Sequence, residues 1–188
     1  AGAAGCVVSN RLSHSPNNSV ICIEAGGKDT NLFIKIPAGF SKTVYNDKIN
    51  WPYYTEETDN TANRKIRFPR GKVVGGSSSI NGHLYVRGQA NDYDGWAQKG
   101  CLGWSWSDVL PYFMKAENRP EGNKNFRGKE GPLHISDLTS PHPLAKLFIE
   151  TAHSIGIKKN QDYNSGDQEG SFLYQTMIKN SIRWSASD

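Results

Sequence analysis

Small and polar residues dominate one stretch near the middle of the chain, Pro69 to Gly88, which reads PRGKVVGGSSSINGHLYVRG. It holds five glycines and three consecutive serines between short apolar runs. It is not a P-loop, because Ser77 stands where the lysine of that motif must be. It is not a nucleophile elbow either, because the serines lack the closing glycine. A loop of this kind can instead lie against a large, planar ligand that carries phosphate.

The alternative for this stretch is a flexible Gly/Ser linker. Apolar residues flank the small ones on both sides, including Val73, Val74 and Ile80. A linker has no need of such anchors in a core, so the pattern favours a binding loop.

A second glycine-rich stretch, AGAAGCVVSNRLS, precedes a loop and the apolar run VICIEAGG. Gly2 and Gly5 stand at the start of a predicted helix, whose N-terminal N–H groups suit a pyrophosphate. Glu24 follows Gly5 by 19 positions at the end of a predicted strand, where an acid accepts hydrogen bonds from ribose hydroxyls. These features predict half of a dinucleotide-binding motif. The alternative is a helix–strand turn whose glycines merely permit tight packing.

Composition limits the remaining classes of function. Of the 188 residues, 36% are apolar and the mean hydropathy is −0.62, which is polar for a self-contained domain. The 22 basic and 18 acidic residues are mixed along the chain, which argues against nucleic-acid binding. Cys6, Cys22 and Cys101 match neither a zinc site nor a disulfide framework, so no metal is predicted. No apolar run approaches the roughly 20 residues of a membrane helix.

Hydrophobic periodicity predicts three helices. The first ends near Leu12, and the second, in SWSDVLPYFMKAEN, starts at the capping residue Ser107. The third, in SPHPLAKLFIETAHSIGI, should stop at Gly156. Its apolar stripe consists of Leu144, Leu147, Phe148, Thr151 and Ala152.

Three segments are predicted to form strands, and one long segment shows no hydrophobic periodicity. VICIEAGG reads as a buried parallel strand, PLHIS as a short strand and GSFLYQTMIKNSIRWSASD as one extended strand. Residues 28–69 carry scattered aromatics, among them Trp51 and Tyr53, and read as an excursion over a functional site.

The two glycine-rich stretches together resemble the glucose–methanol–choline (GMC) oxidoreductases, above all the choline dehydrogenase-like and alcohol dehydrogenase-like bacterial members. GCLGWSWSDVLPYFMKAE, GKEGPLHIS, DYNSGDQEG and IKNSIRWSAS follow the family's order and spacing. The resemblance therefore covers essentially the whole chain.

The resemblance implies that the ligand is FAD. Gly2 and Gly5 would match the second and third fingerprint glycines, and Glu24 would hold the adenosine ribose. Further residues would line the pyrophosphate, ribityl chain and flavin ring, and the whole implied set is Gly2, Gly5, Glu24, Ala25, Val74, Gly76, Ser77, Asn81, Gly82, His83 and Leu84.

The fold implied is an α/β, FAD/NAD(P)-binding Rossmann-like parallel sheet, incomplete here, with the start of a second antiparallel α+β substrate domain. The FAD-binding domain would comprise 1–30 and 70–100, with 31–69 as a lid over the cofactor. Residues 130–188 would form the beginning of the substrate-binding domain.

The chain departs from the family pattern in two respects. The first fingerprint glycine and the strand before it are absent. The family's catalytic histidine lies in a C-terminal segment, so no catalytic residue is expected among these 188, and the chain alone is expected to be inactive. His14, His134, His142 and His153 show no metal-ligand spacing.

The leading hypothesis is the N-terminal part of an FAD-dependent oxidoreductase that oxidises a choline-like or other alcohol by hydride transfer to the flavin. Alternatives are a hydroxynitrile lyase-like member of the same fold, a nicotinamide-dependent dehydrogenase, which leaves the second stretch unexplained, and a non-enzymatic binding module. The alcohol and the electron acceptor cannot be predicted.

The sequence also predicts how the cofactor is attached and where in the cell the protein is located. Some family members attach FAD through a histidine just before the asparagine of the second stretch. Ile80 occupies that position here, so FAD should be bound non-covalently. The lack of an apolar span and of a disulfide pattern predicts a location that is cytoplasmic or peripheral to the membrane.

Overall fold

Six α-helices and eight two-residue strands form the regular structure of the computed structural model, which describes all residues from 1 to 188. The helices are α1 (Ala3–Ser13), α2 (Leu32–Lys35), α3 (Phe40–Thr43), α4 (Ala90–Gln98), α5 (Trp106–Ala116) and α6 (Pro143–Ser154). The strands are β1 (Asn50–Trp51), β2 (Arg70–Gly71), β3 (Leu84–Tyr85), β4 (Glu117–Asn118), β5 (Leu133–His134), β6 (Gln175–Thr176), β7 (Ile178–Lys179) and β8 (Ile182–Arg183).

The chain divides into two compact units. Unit 1 comprises Ala1–His83 and Ile178–Asp188, and unit 2 comprises Leu84–Met177. In unit 1, β1 pairs with β2 and β7 with β8, both antiparallel. In unit 2, β3 pairs with β6 antiparallel and β4 with β5 parallel. The domain boundaries derived from the sequence stay a prediction.

The core of unit 1 joins segments that are far apart in the sequence. Ile34, Val73 and Ile80 are buried and pack together, with Ile49 against them. Ile34 and Ile49 come from the segment that was expected to be an excursion without core residues. This segment therefore helps to hold the glycine- and serine-rich stretch, through both Val73 and Ile80.

The predicted helix near the start of the chain is confirmed as α1, but the predicted strand after it is not formed. In the run VICIEAGG only Gly27 makes a ladder contact, a parallel bridge to Val73. Ile21 and Ile23 are each 85% exposed. The expectation of a buried strand was wrong because a strand is stable only when paired, and the only backbone contact of Ile21 and Ile23 is that of the Ala1 nitrogen with the Ile23 carbonyl, at 3.3 Å.

The end of the chain was predicted as one extended strand, and this was also wrong. The chain turns back on itself between β7 and β8. Asn180 and Ser181 have positive φ angles of 51° and 63°. Two successive residues with positive φ form the tight turn that suits the twist of a hairpin. The hairpin places Arg183, in β8, in the interior of unit 1.

Helices α4 and α5 of unit 2 pack through aromatic side chains. Tyr93 contacts Trp96, Trp106 and Phe113 with ring centroids 5.3 to 5.8 Å apart. The second predicted helix is confirmed as α5, but its cap is Ser105, whose side chain accepts a hydrogen bond from the Asp108 N–H. The expected cap, Ser107, is already inside the first turn.

Helix α6 confirms the third predicted helix, and Gly156 has the positive φ, 93°, that is typical of a helix stop. Its apolar stripe nevertheless does not pack within unit 2. Leu144, Leu147 and Phe148 are all exposed, and only Ala152 is buried. The periodicity therefore predicted the helix correctly, and most of its apolar stripe is exposed.

The interior of unit 2 is largely polar. Glu117, Arg87 and Arg127 are almost fully buried. Arg87 donates a hydrogen bond to Glu117 Oε2, and Arg127 Nη2 lies 2.5 Å from Glu117 Oε1. Arg127 also donates to Gln175 Oε1 at 2.9 Å. These contacts form a buried charge network that connects β4 and β6 with the loop around Arg127.

No helix of the chain has both the length and the apolar character needed to cross a bilayer. No group of three or more histidine, cysteine, aspartate or glutamate side chains is arranged to hold a metal ion.

Candidate functional site

The N-terminus of α1 presents free backbone donors. Gly2 is the N-cap and provides no side-chain cap, and the first helical hydrogen bond runs from the Cys6 N–H to the Gly2 carbonyl at 2.9 Å. The N–H groups of Ala3, Ala4 and Gly5 therefore have no acceptor within the helix. The helix dipole adds a partial positive charge at this end. Together they suit an anionic group.

Glu24 lies beside this helix end. Its Oε1 accepts a hydrogen bond from the Gly26 N–H at 2.9 Å, and its Oε2 accepts one from the Ala1 nitrogen at 2.9 Å. Burial acts to raise the pKa of Glu24, but these hydrogen bonds hold it below its ordinary value. The side chain is therefore a carboxylate at neutral pH, as an acceptor for hydroxyl groups must be.

The glycine- and serine-rich stretch forms a tight loop against α1. Gly75 has a φ of 87°, and a 3₁₀ helix covers Gly76–Ser79. The Ser78 Oγ donates to the Gly75 carbonyl at 2.6 Å, and the Ser79 Oγ to the Val74 carbonyl at 2.8 Å. These two serines therefore hold the loop in shape. A Cβ atom at Gly76 would lie 2.7 Å from the Gly2 Cα, so the loop and α1 touch through glycine backbone.

A cavity of about 580 Å³ opens where these parts of unit 1 meet. It brings together six residues of the set implied by the family and adds seven that the set did not include, among them Gly71, which is part of β2. Its lining is Gly2, Ala3, Ala4, Gly5, Glu24, Ala25, Trp51, Tyr53, Arg70, Gly71, Gly76, Ser77 and Ser78. Of the set implied by the family, Gly2, Gly5, Glu24, Ala25, Gly76 and Ser77 line this cavity.

Sequence reasoning assigned no role to three of the lining side chains, Trp51, Tyr53 and Arg70. The Trp51 and Tyr53 rings are stacked, with centroids 6.0 Å apart and planes 6° from parallel. Lys72 Nζ lies 4.6 Å from the centroid of the Trp51 ring. The antiparallel pairing of Trp51 with Arg70 brings the aromatic pair and the arginine to one wall. Two-residue strands leave no periodic signal, but the aromatics themselves were visible in the sequence.

The other residues implied by the family lie elsewhere. The Val74 N–H donates to the Gly27 carbonyl at 3.0 Å, behind the loop. Asn81, Gly82 and His83 belong to unit 1 but do not line the cavity. Leu84 is the first residue of unit 2. Their assignment to the cofactor stays a prediction.

His83 is buried next to a cation. Its φ is 48°, its Nδ1 has no hydrogen-bond partner, and its ring packs edge-on against Phe40 with centroids 6.1 Å apart. Burial and the Arg183 guanidinium lower the pKa of His83 from 6.5 to about 4. The folded chain therefore keeps this imidazole neutral at pH values where the unfolded chain protonates it.

Because the pKa of His83 is depressed in the folded state, stability should fall as the pH drops from 6.5 towards 4. We expect His83 to contribute about 2 kcal/mol of this loss between pH 7 and pH 5. The variant His83→Asn should not show this loss of stability, because asparagine does not titrate. Asparagine also tolerates the positive φ at this position. Urea unfolding of the apoprotein at both pH values measures the difference. If the free energy of unfolding changed equally with pH in the two proteins, His83 would be protonated at pH 5 in the folded chain, and the prediction would be wrong.

Comparison with known proteins places these features in a family. A family model described as GMC oxidoreductase matches residues 1–188. An oxygen-dependent choline dehydrogenase from Rhizobium etli (strain CIAT 652) is 44% identical over 187 residues, which is 100% of this chain and 34% of that protein. The chain thus spans about a third of the length of the curated relatives it matches.

Solved structures of FAD-dependent oxidoreductases and related oxidases have a similar fold. The pyridoxine 4-oxidase from Mesorbium loti superposes with a TM-score of 0.93 at 34% identity, over 100% of this chain and 37% of that chain. An FAD-dependent oxidoreductase from Chaetomium thermophilum gives a TM-score of 0.87 at 30% identity, over 98% of this chain and 34% of that chain.

These matches confirm the resemblance inferred from the sequence. At the level of the family they also confirm the FAD-binding fold, the cofactor FAD and the class of FAD-dependent oxidoreductase. Both glycine-rich stretches lie within the matched residues, as does every residue of the cavity. The chain belongs to the GMC oxidoreductase family.

Proposed function

We propose that this chain forms the FAD-binding part of an enzyme that oxidises an alcohol by hydride transfer to the flavin. One observation carries the proposal. Two glycine-rich stretches about 70 residues apart in the sequence meet at a single cavity, and the glycine backbone of Gly76 touches that of Gly2. A cavity walled by backbone suits a ligand that must approach the main chain closely.

The residues of the cavity fit the parts of FAD. The free N–H groups at the start of α1 and the Arg70 guanidinium match a diphosphate, which needs donors and positive charge. The Glu24 carboxylate matches ribose hydroxyls, and Trp51 and Tyr53 offer aromatic surface to a ring. We propose that Val74 and residues Asn81 to Leu84 line the binding site of the ribityl chain and the flavin ring.

The role of this chain in the reaction is to bind FAD and to orient it. FAD, when bound, supplies the acceptor for the hydride that leaves the alcohol carbon. The buried side chains of Val73 and Ile80 anchor both ends of the loop, so the loop keeps its shape without the ligand. No histidine lines the cavity, and we assign the role of the base to no residue of this chain.

The substrate we propose is choline or a similar small alcohol, since the relatives matched over the whole of this chain include oxygen-dependent choline dehydrogenases. The test uses the full-length protein. Bound flavin, together with oxygen uptake or dye reduction when choline or another primary alcohol is added, would support the proposal. Flavin without oxidation of any alcohol, but with cleavage of a cyanohydrin, would favour the hydroxynitrile lyase alternative.

We expect FAD to be held without a covalent bond. Ile80, at the position where some family members carry the linking histidine, is 2% exposed and packs in the core of unit 1. It has no nucleophilic atom to bond to the flavin. Acid precipitation of the full-length protein should release the yellow colour into the supernatant, whereas colour in the pellet would contradict the prediction.

We also propose a location in the cytoplasm or at the periphery of the membrane. Cell fractionation followed by a high-salt wash tests this proposal, because a peripheral protein is released by salt and an integral one is not.

A further inference from the structure

A buried arginine contacts the proposed cofactor loop from behind. Arg183, in β8, is only 1% exposed. Its Nη1 donates to the Ser78 carbonyl at 3.1 Å and to the Asn81 Oδ1 at 2.9 Å. Its Nε donates to the Ile34 carbonyl at 2.9 Å. One side chain thus connects the C-terminal hairpin, α2 and the loop.

The contact with Asn81 fixes the direction of its amide. Asn81 Oδ1 also accepts a hydrogen bond from the His83 N–H at 2.9 Å. Both lone pairs of this oxygen are then used by donors of the chain. The Asn81 Nδ2 donates to no other residue, and the residue is exposed. The amide is therefore held with its oxygen inward and its two N–H donors available to a ligand.

Arg183 is held only by neutral acceptors. The oxygen atoms that receive its hydrogen bonds belong to two backbone carbonyls and one amide. Burial lowers the pKa of Arg183 to about 10, although Asp188 acts in the opposite direction. A buried cation without a hydrogen-bonded carboxylate is costly, so a smaller apolar residue would serve packing alone at least as well.

We infer that Arg183 is a positioning residue for the cofactor, which orders Ser78 and Asn81 so that the Asn81 amide donates to FAD. The inference rests on the proposed function. It assigns Arg183 an action through Asn81 rather than a contact with the flavin, and this distinction makes it testable.

The experiment measures FAD affinity in full-length apoprotein by the quenching of flavin fluorescence, and the environment of the bound flavin by visible circular dichroism. Arg183→Gln should weaken FAD binding about tenfold, the loss expected when one hydrogen bond to the ligand is misaligned. Arg183→Lys should weaken it less, because lysine keeps the charge but lacks the fork of donors. Arg119→Gln is the matched control: it also removes a largely buried guanidinium, which pairs with Asp137 in unit 2, and should bind FAD as the wild type does.

A double-mutant cycle separates positioning from a merely structural role. If Arg183 acts through Asn81, then Arg183→Lys should have no further effect on FAD affinity in an Asn81→Ala background. Additive losses, or wild-type affinity and circular dichroism in Arg183→Gln, would overturn the inference. The cycle uses only the lysine variant, so it remains decisive if the glutamine variant does not fold. Wild-type protein that binds no FAD would instead overturn the proposed function itself.

Discussion

Replacing Gly76 with alanine is expected to weaken FAD binding by about 100-fold. The new Cβ would lie 2.7 Å from the Gly2 Cα, which is backbone and cannot rotate away. The φ of Gly76, 56°, adds a left-handed strain of about 1–2 kcal/mol for any residue with a Cβ. Relief of the clash must separate the loop from the start of α1, which costs about 1–3 kcal/mol and opens the cavity between them. Equilibrium titration of the apoprotein with FAD measures the loss.

The matched control for Gly76→Ala is Gly95→Ala in α4. It adds the same methyl group at a position where a Cβ meets no atom within 4 Å and where φ is not positive. We expect unchanged FAD affinity and a slight gain in stability, about 0.5–1 kcal/mol, because alanine favours a helix interior. If Gly76→Ala bound FAD as tightly as Gly95→Ala does, the contact between the two glycine-rich stretches would not be part of the cofactor site.

The parts of the site that the sequence predicted are those set by local chemistry. Gly76 stands where backbone approaches backbone, because a Cβ there would lie 2.7 Å from the Gly2 Cα, whereas a Cβ at Gly5 would meet no atom within 4 Å. Glu24 was predicted from its spacing to Gly5, and the structure places both on one cavity. Helix α1 follows from its run of small and apolar residues. Each of these predictions depends on short-range constraints that a sequence records directly.

The predictions that were wrong depended on long-range partners. The run VICIEAGG was expected to be a buried strand from its apolar pattern, but burial needs a facing surface, and Ile21 and Ile23 find none within unit 1. Arg70 and Trp51 reach the same cavity wall only because β1 pairs with β2 across about 20 residues. Arg183 is brought to the loop by a hairpin whose turn residues, Asn180 and Ser181, gave only a weak turn signal.

Replacing Glu117 with glutamine is expected to destabilise unit 2 by about 3–5 kcal/mol, the cost of breaking a buried ion pair by removing one partner. Glu117 is fully buried between Arg87 and Arg127, and its Oε2 also accepts a hydrogen bond from the Gly128 N–H at 3.2 Å. Glutamine keeps the shape but removes the negative charge, so two buried guanidinium groups lose their common counter-ion. It also presents an amide N–H₂ where only acceptors are wanted.

Hydrogen–deuterium exchange of the full-length protein resolves this effect locally, because amide protection reports the free energy of opening of each segment. Peptides covering 84–89 and 115–130 should lose protection in Glu117→Gln, while peptides of the first 30 residues should not. The control is Glu150→Gln, which breaks the exposed pair between Glu150 and Lys159 and should leave protection unchanged, because surface pairs contribute little. If the two variants behaved alike, the buried charge network would not be what holds unit 2 together, and its stability would have to come from the aromatic contacts around Tyr93.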